Sequence, residues 1–162
     1  MIMALCAMLC EGAFAQAGVK TVGLNVSYGT EIENIGVGVK GQYYITDAIC
    51  TEASFDYFLK KDGLSMWDVN FNAHYLFPIG DKMKIYPLAG LSYTNWKYSL
   101  DEREVLVDDD DTSDSVGKFG VNLGGGFQYD LTESMIFNAE VKYQLINTFD
   151  QVVFSVGLAY KF

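Results

Sequence analysis

Few side chains in this 162-residue chain could do covalent or metal chemistry. His74 is the sole histidine, so a zinc site of the usual ligand count is not expected around it. With Ser54 as nucleophile and Glu52 as acid it would make a hydrolytic set, provided the three come within hydrogen-bond reach and face a substrate. Cysteines stand only at 6, 10 and 50, too few and too scattered for a thiolate metal cluster. A second group is ionic: Lys40, Glu52, Asp56, Asp68, Glu140 and Lys142 sit singly among apolar neighbours. A third is the run 101–114, DEREVLVDDDDTSD, with eight acids against one arginine. It lacks the glycine and distant glutamate of an EF-hand, and a run of like charge repels itself and stays solvated.

The elements that must position these groups are read from a period of two that begins at Lys20. Val22, Leu24, Val26 and Tyr28 alternate with Thr21, Gly23, Asn25 and Ser27. Trp67, Val69, Phe71, Ala73, Tyr75 and Phe77 alternate with Met66, Asp68, Asn70, Asn72, His74 and Leu76. The same alternation recurs over about 35–45, 49–59, 82–97, 117–129, 135–146 and 151–162, which predicts eight strands with one apolar and one polar face. The segment 82–97 is ambiguous. Ile85, Pro87, Ala89, Leu91 and Tyr93 form one apolar face, yet Tyr86, Leu88 and Trp96 lie on the other, and Pro87 predicts a local bulge.

An even number of antiparallel strands can close and remove its edges. Two barrels fit the pattern. A soluble lipocalin-like carrier would turn the apolar face inward, and a membrane barrel would turn it outward to lipid. Volume separates them. Eight strands leave a bore just wide enough for side chains to fill. Trp67, Phe71, Tyr75, Phe119, Phe127, Tyr129, Tyr143 and Phe154 would overfill it, whereas the Gly-, Asn-, Ser- and Gln-rich face would not. Ten residues at about 3.3 Å, tilted about 40°, span roughly 25 Å, the height of a lipid-facing band. Aromatic residues gather at the strand ends, with Tyr28, Tyr57, Trp67, Tyr93, Phe119 and Phe154 toward one rim and Tyr43, Phe77, Tyr129, Tyr160 and Phe162 toward the other. Short turns at 46–47, 78–81 and 130–133 alternate with connections at 30–34, 60–64, 98–116 and 147–150. The expected fold is an all-β, eight-stranded antiparallel up-and-down transmembrane β-barrel.

The chain resembles the small eight-stranded outer-membrane barrels of Gram-negative bacteria, the OmpX-like and OmpA-transmembrane-domain-like proteins often labelled porin family. The likeness covers about 20–162. Its most specific element is the terminal segment Val152 to Phe162, where alternating apolar residues, Tyr160 and the final Phe162 resemble the signal read by the barrel assembly machinery. The Gly-rich strand from Phe119 to Tyr129 is also typical of the group. A departure is that three of the four longer-side connections are short, whereas OmpX-like proteins present protruding strands. The resemblance implies a bacterial outer-membrane location with both termini periplasmic, and lipid, lipopolysaccharide and the assembly machinery as partners.

Residues 1–15 are apolar and end in Ala13-Phe14-Ala15, which suits a signal-peptidase site although no basic segment precedes it. The expected organisation is a signal peptide over 1–15 and one barrel domain over 16–162. A lipoprotein reading through Cys6 or Cys10 fits the flanking residues poorly. Half the residues are hydrophobic, only two are proline, and the formal charge is −10, which argues against nucleic-acid binding. Hairpin counting places Lys40 beside Ser54 or Asp56, Gln42 beside Glu52, and His74 near Glu52. Lys40, Glu52, Asp56, Asp68, His74, Glu140 and Lys142 are therefore expected to form a polar network that fills the lumen, because buried charges persist only when paired.

The leading expectation is a non-enzymatic structural or interaction protein of the envelope, with no cofactor. A narrow passive pore for ions or small solutes is the alternative, and a lipid-modifying enzyme using His74 a weaker one. Asp108, Asp109, Asp110, Asp111 and Asp114 are the candidates for weak divalent-cation binding, as in bridging to lipopolysaccharide phosphates. The extracellular partner is not legible from the residues.

Overall fold

In a computed structural model, residues 17–61, 63–98, 115–147 and 149–162 are described. The expected signal peptide and the acidic run 101–114, with Asp108, Asp109, Asp110, Asp111 and Asp114, lie outside the described residues. The strands are β1 (Lys20–Gly29), β2 (Asn34–Tyr44), β3 (Ile49–Lys61), β4 (Leu64–Tyr75), β5 (Phe77–Ile79), β6 (Met83–Tyr98), β7 (Ser115–Asp130), β8 (Met135–Ile146) and β9 (Phe149–Lys161). Every pairing is antiparallel, in the order β4-β3-β2-β1-β9-β8-β7-β6-β5, and a further β4–β6 pairing closes the sheet.

Nine strands make eight staves. His74 opposes Leu88 and Phe77 opposes Ile85, so β4 and β5 run along β6 in one register. The interruption falls at Leu76, beside Tyr86 and Pro87. Proline has no N–H to give the ladder; on the β3 side the Leu76 N–H donates to the Ala48 carbonyl at 2.7 Å, continuing the β3–β4 register. The bulge expected at Pro87 is not there: the β6–β7 register is unbroken from Met83 to Lys97. Proline costs a hydrogen bond at this point without costing a residue of register. The irregularity lies instead between Phe58 and Lys61, at the β3–β4 hairpin.

The alternation decides what faces outward. Phe71 is 62% exposed while its neighbour Asn70 is fully buried. The most exposed large apolar side chain is Phe119, at 78%, and Leu24, Leu91, Leu158 and Tyr160 share its face. The barrel is thus apolar outside and polar within, the arrangement required of a sheet whose outer surface meets hydrocarbon. Rings stack around that surface. Phe55, Trp67, Tyr93 and Phe119, on four neighbouring staves, follow one another at centroid spacings of 5.9, 5.8 and 4.9 Å. Toward the opposite rim Tyr75 meets Phe77 at 4.8 Å and Phe127 meets Phe137 at 6.0 Å.

One end of the barrel carries three short turns and the two ends of the described chain; we call it the turn end, and the other the loop end. Two of the turns are built alike. In Ile45-Thr46-Asp47-Ala48-Ile49 the Thr46 hydroxyl accepts hydrogen bonds from the Ala48 and Ile49 N–H groups at 3.2 and 2.9 Å. In Leu131-Thr132-Glu133-Ser134-Met135 the Thr132 hydroxyl does the same for Ser134 and Met135, at 3.2 and 3.0 Å. A hydroxyl that satisfies two turn amides locks the hairpin at a defined length. The third turn uses Gly80 at φ 77°, a left-handed conformation that suits glycine. At the loop end β7, 16 residues long, outreaches its neighbour β8. Pairing of β7 with β8 begins only at Gly120, so Val116 to Phe119 pair with β6 alone. The start of β7 therefore runs past the last β8 pairing, while β6 stays flanked by β4 up to Tyr98.

Two predictions follow from this architecture. Phe71 stands half-way along its stave, so Phe71→Arg should cost about 2–4 kcal/mol in reversible unfolding from lipid bilayers, as for a cation at the bilayer midplane. Thr132→Val should cost about 0.5–1.5 kcal/mol, the net worth of a turn hydrogen bond, read by the same reversible unfolding from bilayers.

Candidate functional site

The site is the lumen, and period-two geometry delivers its side chains. All seven residues expected to line it are on the inner face and buried: Lys40 on β2, Glu52 and Asp56 on β3, Asp68 and His74 on β4, Glu140 and Lys142 on β8. The bore forces close approach. A Cβ at Gly126 would lie 2.6 Å from the Ala139 carbonyl oxygen and 2.8 Å from the Tyr86 hydroxyl, so only glycine leaves room for the side chains that cross there.

Nearer the turn end, the network centres on Glu52. Its Oε2 accepts from Gln42 at 2.9 Å and lies 3.4 Å from the Lys40 Nζ. Its Oε1 accepts from Asn72 at 3.2 Å and lies 3.9 Å from His74 Nε2. The Lys40 ammonium also donates across the bore to Glu140 Oε2 at 3.3 Å, joining β2 to β8. The Tyr86 hydroxyl donates to that same oxygen at 2.7 Å, while the Tyr86 ring stacks on His74 at 4.5 Å and 7°. Neither nitrogen of His74 has a hydrogen-bond partner.

Toward the loop end a second centre is made of Asp56 and Asp68, which oppose each other across β3 and β4. Amides and hydroxyls satisfy them. Asn25 and Ser27 donate to Asp56 at 2.5 and 3.1 Å. Asn70 and Gln144 donate to Asp68 at 3.0 and 3.2 Å. Asn122 ties the two centres, donating to Asn70 at 3.0 Å and to Asn72 at 2.9 Å. Lys142 is buried on the same face of β8 as Glu140, two residues along. Among the described residues, four buried carboxylates thus face two buried ammonium groups.

Apolar layers cover this polar middle at both ends. Tyr44, Cys50, Leu76, Tyr86 and Leu88 pack together at the turn end, with Val19 against them. Phe58, Met66, Trp96 and Val153 pack at the loop end, with Ile32 and Leu64. Tyr86, Leu88 and Trp96, which made the reading of 82–97 ambiguous, are these stoppers. Sequence reasoning left the layers out because a large apolar residue on the polar face looks like a lapse in the pattern. The signal was their position, near strand ends on several staves at once.

The hydrolytic set does not assemble. The Ser54 hydroxyl donates to Asp56 at 3.4 Å and accepts from Asn70, while His74 is stacked on Tyr86. Tyr160 and Phe162 are elsewhere altogether, exposed on the outer face at the turn end. There β9 closes on β1, the Phe162 N–H donating to the Lys20 carbonyl at 2.9 Å. At the same rim Lys161 pairs with Asp130 at 2.7 Å.

The fold has solved counterparts. The N-terminal β-barrel domain of Pseudomonas aeruginosa OprF superposes with a TM-score of 0.72 at 18% identity, over 90% of this chain and 98% of that one. Ail, the attachment invasion locus protein of Yersinia pestis, superposes at 0.63 with 17% identity, over 90% and 99%. Neisserial surface protein A (NspA) gives 0.64 at 15% identity, over 89% and 96%. No curated protein matches the chain. At such identities these likenesses establish the fold alone. Residues 4–162 match the family described as outer membrane protein beta-barrel domain, and with the closed eight-stave sheet, apolar without and polar within, the chain belongs to that family of bacterial outer-membrane barrels.

Proposed function

We propose that this barrel is a closed, non-enzymatic structural or interaction protein of the outer membrane, working through its surfaces and not through its bore. The observation that carries the reading is the three-layered lumen: an ion-paired middle held between two apolar stoppers. Ions would have to pass both Tyr44 with Tyr86 and Phe58 with Trp96, in a bore already filled by side chains. The start of β7, which runs past the last β8 pairing at the loop end, supports a role in contacts, since it offers a strand edge. Ail, similar in fold, is named for attachment and invasion.

In this reading the signal peptide 1–15 is removed, and Tyr160 and Phe162 present the terminal strand to the assembly machinery. The turn end and both termini face the periplasm, and the loop end faces outward against lipopolysaccharide. There Asp108, Asp109, Asp110, Asp111 and Asp114 of the acidic run can bind divalent cations weakly and bridge to its phosphates.

Two measurements test the reading. Refolded wild-type barrel in a planar bilayer should give almost no channel events; well-resolved, sustained open steps would replace the closed barrel with a narrow pore. In intact cells a membrane-impermeant maleimide should label Lys60→Cys at the loop end but not Asp81→Cys at the turn end. The opposite pattern reverses the orientation.

A further inference from the structure

We infer that Glu52, His74 and Glu140 form a lumenal binding site for one divalent first-row transition metal of the zinc class. One donor atom from each of the three lies within 4.8 Å of the others, and all three side chains are buried. Bonds of about 2.0–2.2 Å in tetrahedral geometry put ligand atoms roughly 3.4 Å apart. The three must therefore close by up to about 1.4 Å, which the long glutamate side chains can supply by torsional changes.

A separate observation points to a ligand there. Both ring nitrogens of His74 are buried without a hydrogen-bond partner, and an unsatisfied buried polar group costs free energy that a metal bond would recover. The ring is held in place by its stack on Tyr86, whose hydroxyl also orients Glu140. Gln42 and Asn72 orient Glu52. Supporting contacts of this kind fix ligands around a metal.

Two carboxylates and one imidazole leave a coordination position for water. The Lys40 ammonium stands between the same two glutamates, so it competes with the metal and must swing aside on its flexible stem as the metal enters. The site concerns the contents of the plug, and its test is independent of conductance.

His74 is the chain's sole histidine, which makes the test direct on tag-free protein. The barrel is refolded in detergent with Zn2+ and desalted, heat-modifiable migration on gels showing that it is folded. Zinc should remain at one per chain, and its X-ray absorption should show oxygen ligands with a single imidazole. Lys40→Met should tighten zinc binding about tenfold or more, and His74→Gln should weaken it by a similar factor and remove the imidazole signature. Absence of stoichiometric zinc from the folded wild-type barrel, or a zinc shell without imidazole, overturns the inference.

Discussion

The bore of an eight-stave barrel is the constraint on which the rest depends. Closure pairs every strand on both sides within the membrane band and leaves no row of unpaired amides facing hydrocarbon. Eight staves close around a space that admits only one layer of side chains. Most large rings therefore go outside, and the few that remain inside, such as Tyr44, Tyr86, Phe58 and Trp96, sit in the layers at the two ends. Leu24 opposite Leu158 on the seam between β1 and β9 continues the same outward face as Phe71 opposite Leu91 on the seam between β4 and β6. The barrel has one inside and one outside all the way round.

The narrowness explains the lumen as well. Side chains from opposite walls meet, so charges find partners far away in the chain. Lys40 reaches Glu140 although 100 residues separate them, and Gln144 reaches Asp68 over 76. Buried charges are costly unless paired or hydrogen-bonded, and here nearly every carboxylate oxygen is addressed by an amide, a hydroxyl or an ammonium group. Such a network specifies register. Sliding one strand by two residues would keep every residue on its face yet strip Glu52 of Gln42, Lys40 and Asn72 together.

Apolar layers at the two ends complete the plug by a different principle. Tyr44 and Tyr86 are amphipathic: their rings stop the bore while their hydroxyls join the polar middle, Tyr44 donating to Gln128 at 3.1 Å. Phe58, Met66, Trp96 and Val153 form the stopper at the other end. Between them the ion pairs are removed from bulk water, where they would be weaker. Likeness to OprF, Ail and NspA at 15–18% identity concerns this frame and not its filling. What differs on such a frame is the groups added to it, here the filling of the bore and the start of β7 past the last β8 pairing.

Period-two alternation determined the strands and their two faces, and the volume of those faces against an eight-stave bore determined which one turns outward. The reason is that a strand's side chains leave its two sides strictly in turn, so local order in the chain is order across the sheet. It also determined that Lys40, Glu52, Asp56, Asp68, His74, Glu140 and Lys142 share one side. Pro87 was misread as a bulge because one missing N–H leaves the count of residues intact, and only the paired neighbour shows that. Tyr86, Leu88 and Trp96 looked like noise because their purpose depends on Tyr44, Leu76, Phe58 and Val153 arriving at the same height from other staves. Which carboxylate meets which ammonium group, and that His74 lies on Tyr86 and not beside Ser54, was decided by the tertiary structure alone. Contacts across a bore depend on the curvature and stagger of the closed sheet, which no local stretch of residues encodes.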